Sequence, residues 1–281
     1  MQRLQEEMNN MKKIFFIAIL SQMILFAYGL DLNQNFFLSD EFGSLVIKDD
    51  SLIFDNRIEK GELKHNKYFD TFVSEQNTYI LLDCKIDKVS FLTLVKKDTL
   101  SKEVFGLWYI PYVYCNLDNY DIMPQLVGFD VVSAKSYLVE KTSDGKIIEY
   151  LPKIFNMNYN PWAVSVKDEN KKVLLQILER NNRGYSKSPI NELIIVNGFV
   201  NPEKHYLYEQ NSRAKKIRIS YGSSNYEYEL QDTGNYQVIN LPQTLKENEQ
   251  MGIEILDWYQ GSKYSDIVIS GIFYINSGYY N

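Results

Sequence analysis

The chain has 281 residues, of which 45% are hydrophobic and 14% aromatic, with a formal net charge of −6. That much apolar content excludes wholesale disorder and supplies a packed core. The acidic balance excludes the basic face that nucleic-acid binding needs.

Residues 1–29 read as an export signal. Lys12 and Lys13 precede the apolar run "IFFIAILSQMILFA" (14–27), and "AYG" follows with small residues at Ala27 and Gly29. Charge, apolar run and small residues in that order define a secretory signal peptide. The run is short for a bilayer span of about 20 apolar residues. The polar stretch before Met11 has no place in such a signal, so Met11 is the expected start. Cleavage after Gly29 is expected, which gives a periplasmic or secreted protein with no transmembrane segment after signal removal.

From residue 30 onward the apolar pattern has a period of two almost throughout. "SLVIKDDSLIFD" (44–55) reads as strand, turn and strand; "NTYILLD" (77–83) and "KVSFLTLVKK" (88–97) are rich in β-branched and aromatic residues. "KSYLVEKTSDGKIIEY" (135–150) is a hairpin tipped by Ser-Asp-Gly. No sustained 3.6-residue stripe predicts a long helix. Residues 30–152 are therefore expected to form a separate small β-rich domain. Cys84 and Cys115 are the two cysteines of the chain. In an exported protein one disulfide fits them, and two separate buried thiols fit them as well.

A boundary is expected in "LPKIFNMNYNP" (151–161), with prolines near both ends. Residues 158–281 then carry about eight strand-like runs: 162–167, 172–178, 190–197, 214–221, 225–231, 235–241, 250–258 and 266–275. About eight short strands separated by turn residues fit a jelly-roll β-sandwich. Within the hairpin of 216–231, pairing Tyr221 with Tyr226 would set Arg218 against Glu229.

Four stretches in this half resemble the NADase-type glycan-binding domain, a discoidin-like module with the galactose-binding fold. They are "IIVNGF" (194–199), "YEQNSRAKKIRI" (208–219), "ELQDTGNYQVINL" (229–241) and "IEILDWYQGSKYSDIVISGI" (253–272). The sequence departs from the family pattern at Val164 and Gly271, where acidic residues are expected. The resemblance implies an all-β sandwich whose end loops hold a glycan or glycoconjugate. It does not imply hydrolysis of NAD, because the module is an accessory beside varied partners.

Asn211, Arg213, Asp232 and Asp266 read as structural ties of the loops, with Asp266 expected to hold "YQGSKY" (259–264) by accepting from its amides. Trp162 and Trp258 read as core. Sugars present apolar CH faces and hydroxyl edges, so loop aromatics with polar neighbours are the ligand-binding candidates. These are Tyr185, Tyr206, Tyr259 and Tyr264. Lys263 reads as a solvated lysine. The two histidines, His65 and His205, are far apart in sequence, which excludes a histidine-rich metal site; no metal ligand or cofactor is assigned, and whether a metal ion supports the sandwich loops stays open. There is no GxSxG elbow, phosphate-binding loop or dinucleotide fingerprint. The expected function is non-catalytic carbohydrate binding at the cell envelope or outside the cell. Two alternatives stay open: a structural or adhesion protein with a protein partner, and a hydrolase whose site lies in residues 30–150.

Overall fold

The computed structural model describes residues 35–38, 44–48, 50–55, 57–86, 89–96, 102–104, 107–109, 113–115, 125–152, 161–178 and 190–276. The expected signal peptide, its expected cleavage site and Tyr185 lie outside them. All fall within a compact unit, Asn33–Asn281. The regular secondary structure of the described residues is nearly all β-strand, as the period-two pattern leads one to expect.

The N-terminal strands are β1 (Asn35–Leu38), β2 (Ser44–Lys48), β3 (Ser51–Phe54), β4 (Arg57–Lys64), β5 (Asp70–Ser74), β6 (Thr78–Ile86) and β7 (Val89–Val95). β8 (Lys102–Val104), β9 (Leu107–Tyr109) and β10 (Val113–Cys115) follow. β1 to β7 and β10 close into a barrel in the order β1-β10-β7-β6-β5-β4-β3-β2. Closure removes the exposed edges that an open sheet of this size would present.

The apolar runs explain how the barrel packs. Leu45, Leu52, Phe72, Leu81 and Leu92 are buried within it. The alternate residues Ile80, Leu82, Cys84 and Phe91 are also buried, and they join the core of the C-terminal half. β6 and β7 are thus covered on both faces, which is why they read as near-continuous apolar runs instead of a clean alternation. No disulfide joins Cys84 and Cys115. Both face Phe91 in register, Cys84 from β6 and Cys115 from β10. One intervening strand sets their Cα atoms about 10 Å apart at the usual strand spacing, beyond the roughly 7 Å reach of a disulfide.

The remaining strands are β11 (Gln125–Gly128), β12 (Val131–Ala134), β13 (Val139–Lys141), β14 (Ile147–Glu149), β15 (Trp162–Ser165) and β16 (Lys172–Gln176). They continue with β17 (Ile190–Asn197), β18 (Ser212–Tyr221), β19 (Ser224–Glu229), β20 (Tyr236–Leu245), β21 (Gln250–Tyr259) and β22 (Asp266–Asn276). A single turn of helix, α1 (Leu207–Gln210), precedes β18. β12-β16-β21-β18-β19 form one layer of a sandwich; β20-β17-β22, with β15 and β11 on the far edge of β22, form the other. The layers meet where Ser212 and Arg213 of β18 run parallel to Ile267 and Val268 of β22. Ile217, Ile219, Ile253, Ile255, Ile269 and Ile272 are among the buried core residues, and full burial of such a side chain contributes roughly 1.5–3 kcal/mol.

Hydrogen bonding crosses the boundary placed near residue 152. β11 pairs with the last strand, and β12 pairs with β16. Leu126, Val127 and Phe129 are buried in the shared core. The hairpin of β18 and β19 is tighter than the sequence reading: Tyr221 pairs with Ser224, Ile219 with Tyr226 and Arg218 with Glu227. Gly222, at φ 57, permits that tight reversal. The shift of two residues leaves every side chain on its expected face, because the strand period is two.

Candidate functional site

The motif residues of the C-terminal half converge on one end of the sandwich. Asn197 ends β17 fully buried, and its side-chain amide copies a strand partner. The amide Nδ2 donates to Ala214 O at 2.7 Å, and Oδ1 accepts from Ala214 N at 3.0 Å. Gly198 follows at φ 78. A Cβ there would collide with the Tyr208 ring and sit 2.8 Å from Arg213 Cγ. Glycine is thus required twice over, by conformation and by space. The Ser270 hydroxyl donates to Gly198 O at 2.7 Å and accepts from Val200 N at 2.9 Å.

Arg213 is the centre of this knot. Its side chain is 4% exposed and grips Asp232 with both ends of the fork, Nε to Oδ1 at 2.9 Å and Nη2 to Oδ2 at 2.8 Å. Nη1 donates to Asn211 O at 2.8 Å. The guanidinium lies 5.4 Å from the Tyr208 ring centroid and 5.7 Å from that of Tyr68. Burial opposes the charge, but the hydrogen bond and charge of Asp232 outweigh it, so the pKa is raised. Asn211 Nδ2 closes α1 by donating to Leu207 O at 2.8 Å.

The barrel covers this knot. Tyr68 packs on Tyr208 with centroids 4.7 Å apart, and Phe69 meets the same ring edge-on at 5.5 Å. Tyr68 O accepts from Thr233 Oγ1 at 2.7 Å and from Gly234 N at 3.0 Å. Tyr236 OH bonds Thr93 Oγ1 at 2.6 Å. The Asp232–Tyr236 turn is therefore a seam between barrel and sandwich.

The exposed rim is carried by the residue before α1 and by the loop of residues 259–264. Tyr206 is 51% exposed and Tyr264 is 37% exposed. The loop that carries Tyr264 is held by backbone bonds to α1: Ser262 N donates to Glu209 O, and Lys263 N and Tyr264 N both donate to Gln210 O. Gly261 N donates to Ser212 Oγ at 3.1 Å. A Cβ on Gly261 would collide with Gln210 O and Asn211 C, so this glycine serves a close backbone approach. Lys263 Nζ stands 4.9 Å above the centre of the Tyr264 ring.

Two of the residues read from sequence fall elsewhere. Tyr259 is half-buried, and its hydroxyl donates to Leu230 O at 2.9 Å, so it pins the end of β19. Asp266 does not hold the loop; among the described residues the loop amides go to Glu209, Gln210 and Ser212. Its half-buried carboxyl instead lies near Glu140, and burial followed by that negative charge raises its pKa. Glu140 belongs to the hairpin of β13 and β14, and accepts from Tyr150 OH at 2.8 Å. The hairpin springs from β15 through Leu138 N to Ala163 O and Ala163 N to Tyr150 O. Leu138, Tyr150 and Leu207 pack on one small cluster, which brings the hairpin base beside the residue that follows Tyr206.

Residues 184–275 match the family model described as the NAD glycohydrolase translocation F5/8 type C domain. The C-terminal part is a discoidin-like domain. No curated protein matches the chain.

Within the discoidin-like domain, motif and rim have separate jobs. Asn197, Gly198, Arg213, Asp232 and Ser270 build the scaffold of the loops. Tyr206 and Tyr264 stand on that scaffold and face solvent. Val164 and Gly271, the two departures from the family pattern, are both buried in the sheet, with Gly271 opposite Val196. Trp162 is fully buried with its indole N–H on Ser136 O at 3.0 Å. Trp258 is partly buried against the core. Among the described residues no cluster of histidine, cysteine and carboxylates could hold a metal ion. None of their helices is long and apolar enough to cross a membrane. The place of Lys263 over a ring was not legible in the sequence, nor was the approach of Glu140 to Asp266, because both depend on contacts between segments.

Proposed function

We propose that this protein is an exported, non-catalytic carbohydrate-binding protein, and that the Tyr206–Tyr264 rim of its discoidin-like domain holds the sugar. The observation that carries the reading is two exposed tyrosine rings on segments fixed to each other by backbone hydrogen bonds. A platform of this kind meets a sugar ring with little ordering cost. The signal-like segment of residues 1–29 supports export to the periplasm or beyond. The domain family, with its translocation label, supports the same location. A glycan array followed by titration calorimetry tests the reading. Tyr206→Ala and Tyr264→Ala should each weaken binding at least tenfold while leaving the melting temperature within about 2 °C, as exposed substitutions do. Loss of stability without loss of binding returns both tyrosines to a packing role.

A protein partner is the second reading, favoured by one observation. Val139 and Ile147 lie on one face of the isolated β13–β14 hairpin and are 53% and 64% exposed.

A further inference from the structure

We propose that the rim selects sugars that carry an anionic group, a carboxylate or a sulfate, and that Lys263 is the residue that reads it. The inference rests on the carbohydrate reading of the same rim and names the ligand class within it. Lys263 is exposed, and its ammonium is held over the Tyr264 ring, itself part of the platform. The exposed cations of β18 behave differently. Lys215 pairs with Asp257 at 3.0 Å, Lys216 with Glu227 at 2.6 Å, and Arg218 with Glu227 and Glu254 at 2.9 and 3.0 Å. Among the described residues Lys263 meets no carboxylate; the Tyr264 and then the Tyr206 side chains are what raise its pKa. Asp266 lies near Glu140 instead.

A cation over one ring of the platform, with no carboxylate partner among the described residues, offers both halves of an acidic sugar a partner. The rings take the CH face, and the ammonium makes a charge-assisted hydrogen bond to the anion. The net charge of −6 does not oppose this, because charges beyond about 8 Å are screened at physiological salt.

The test titrates the full chain with lactose, sialyl-lactose, a galacturonate trisaccharide and a sulfated disaccharide at low and physiological salt. Sialyl-lactose or the galacturonate should bind roughly tenfold more tightly than lactose, the gain expected of one charge-assisted bond. A preference for the sulfated sugar alone would identify sulfate as the anion read. Lys263→Met should erase the preference and its salt dependence while lactose binding persists, and Lys263→Arg should retain most of it. Equal binding of neutral and acidic sugars, or a preference that survives Lys263→Met, overturns the inference and leaves the carbohydrate reading standing. Failure to bind any sugar overturns both.

Discussion

Replacing Asp232 by alanine removes one half of a buried ion pair and leaves the other. The Arg213 guanidinium would keep its bond to Asn211 O but lose both bonds to carboxylate, inside a site where its side chain is 4% exposed. Leaving a buried charge uncompensated costs about 3–5 kcal/mol. The change also loosens the turn that carries Thr233 and Gly234 onto Tyr68, so the seam with the barrel weakens with it. For a unit of this size each kcal/mol moves the melting temperature by about 2–4 °C. Asp232→Ala should therefore lower it by roughly 6–20 °C in differential scanning calorimetry. The double change Arg213→Met with Asp232→Leu removes both charges and should recover much of the loss, since apolar replacements of buried pairs are often neutral. A fall of less than about 2 °C for Asp232→Ala, or a double variant no better than the single one, would refute the view that an ion pair governs this end of the sandwich.

Other expectations follow from the same geometry. Gly198→Ala should destabilise by more than about 1 kcal/mol in urea titration, because the residue has positive φ and its Cβ would enter the Tyr208 ring. Residues 158–281 expressed alone should lack cooperative unfolding, since they lose β11, β12 and the buried Leu126, Val127 and Phe129; a sharp thermal transition would refute this. Burial raises the Cys84 thiol pKa and pushes that of Cys115 up to about 12, so native protein should resist alkylation at pH 8 until it unfolds. For Glu59, burial works against the charge. Hydrogen bonds from Ser74, Asn77 and Tyr79 and the Arg57 cation outweigh it, and the pKa is lowered. Its contribution to stability is thus complete above the unfolded carboxyl pKa of about 4.3 and lost as pH falls through the lower folded value. Glu59→Gln should flatten that acid limb in melting curves taken from pH 6 down to pH 3.

The sequence by itself determined the β class and the strands of the C-terminal half. Those properties follow from a period of two and from turn residues, and both are local. The eight runs expected between 162 and 275 all appear as strands, with bounds moved by a few residues. The four motif stretches also marked the discoidin-like domain, because Asn197, Gly198, Arg213 and Asp232 serve one shared knot. Tertiary structure decided what periodicity cannot express. Closure of β1 to β7 with β10 depends on pairings between distant segments. The return of β11 and β12 to the C-terminal sheet does too. Cys84 and Cys115 were an open pair in sequence; one intervening strand keeps them from bridging. Asp266 had the right chemistry to hold a loop, but the amides reached carbonyls of α1 first. Tyr259 and Tyr264 look alike in "YQGSKY", yet one hydroxyl is anchored on Leu230 while the other ring faces solvent beneath Lys263. Which tyrosine is free to meet a ligand is set by what lies across the fold from it, and that is fixed only when the layers close.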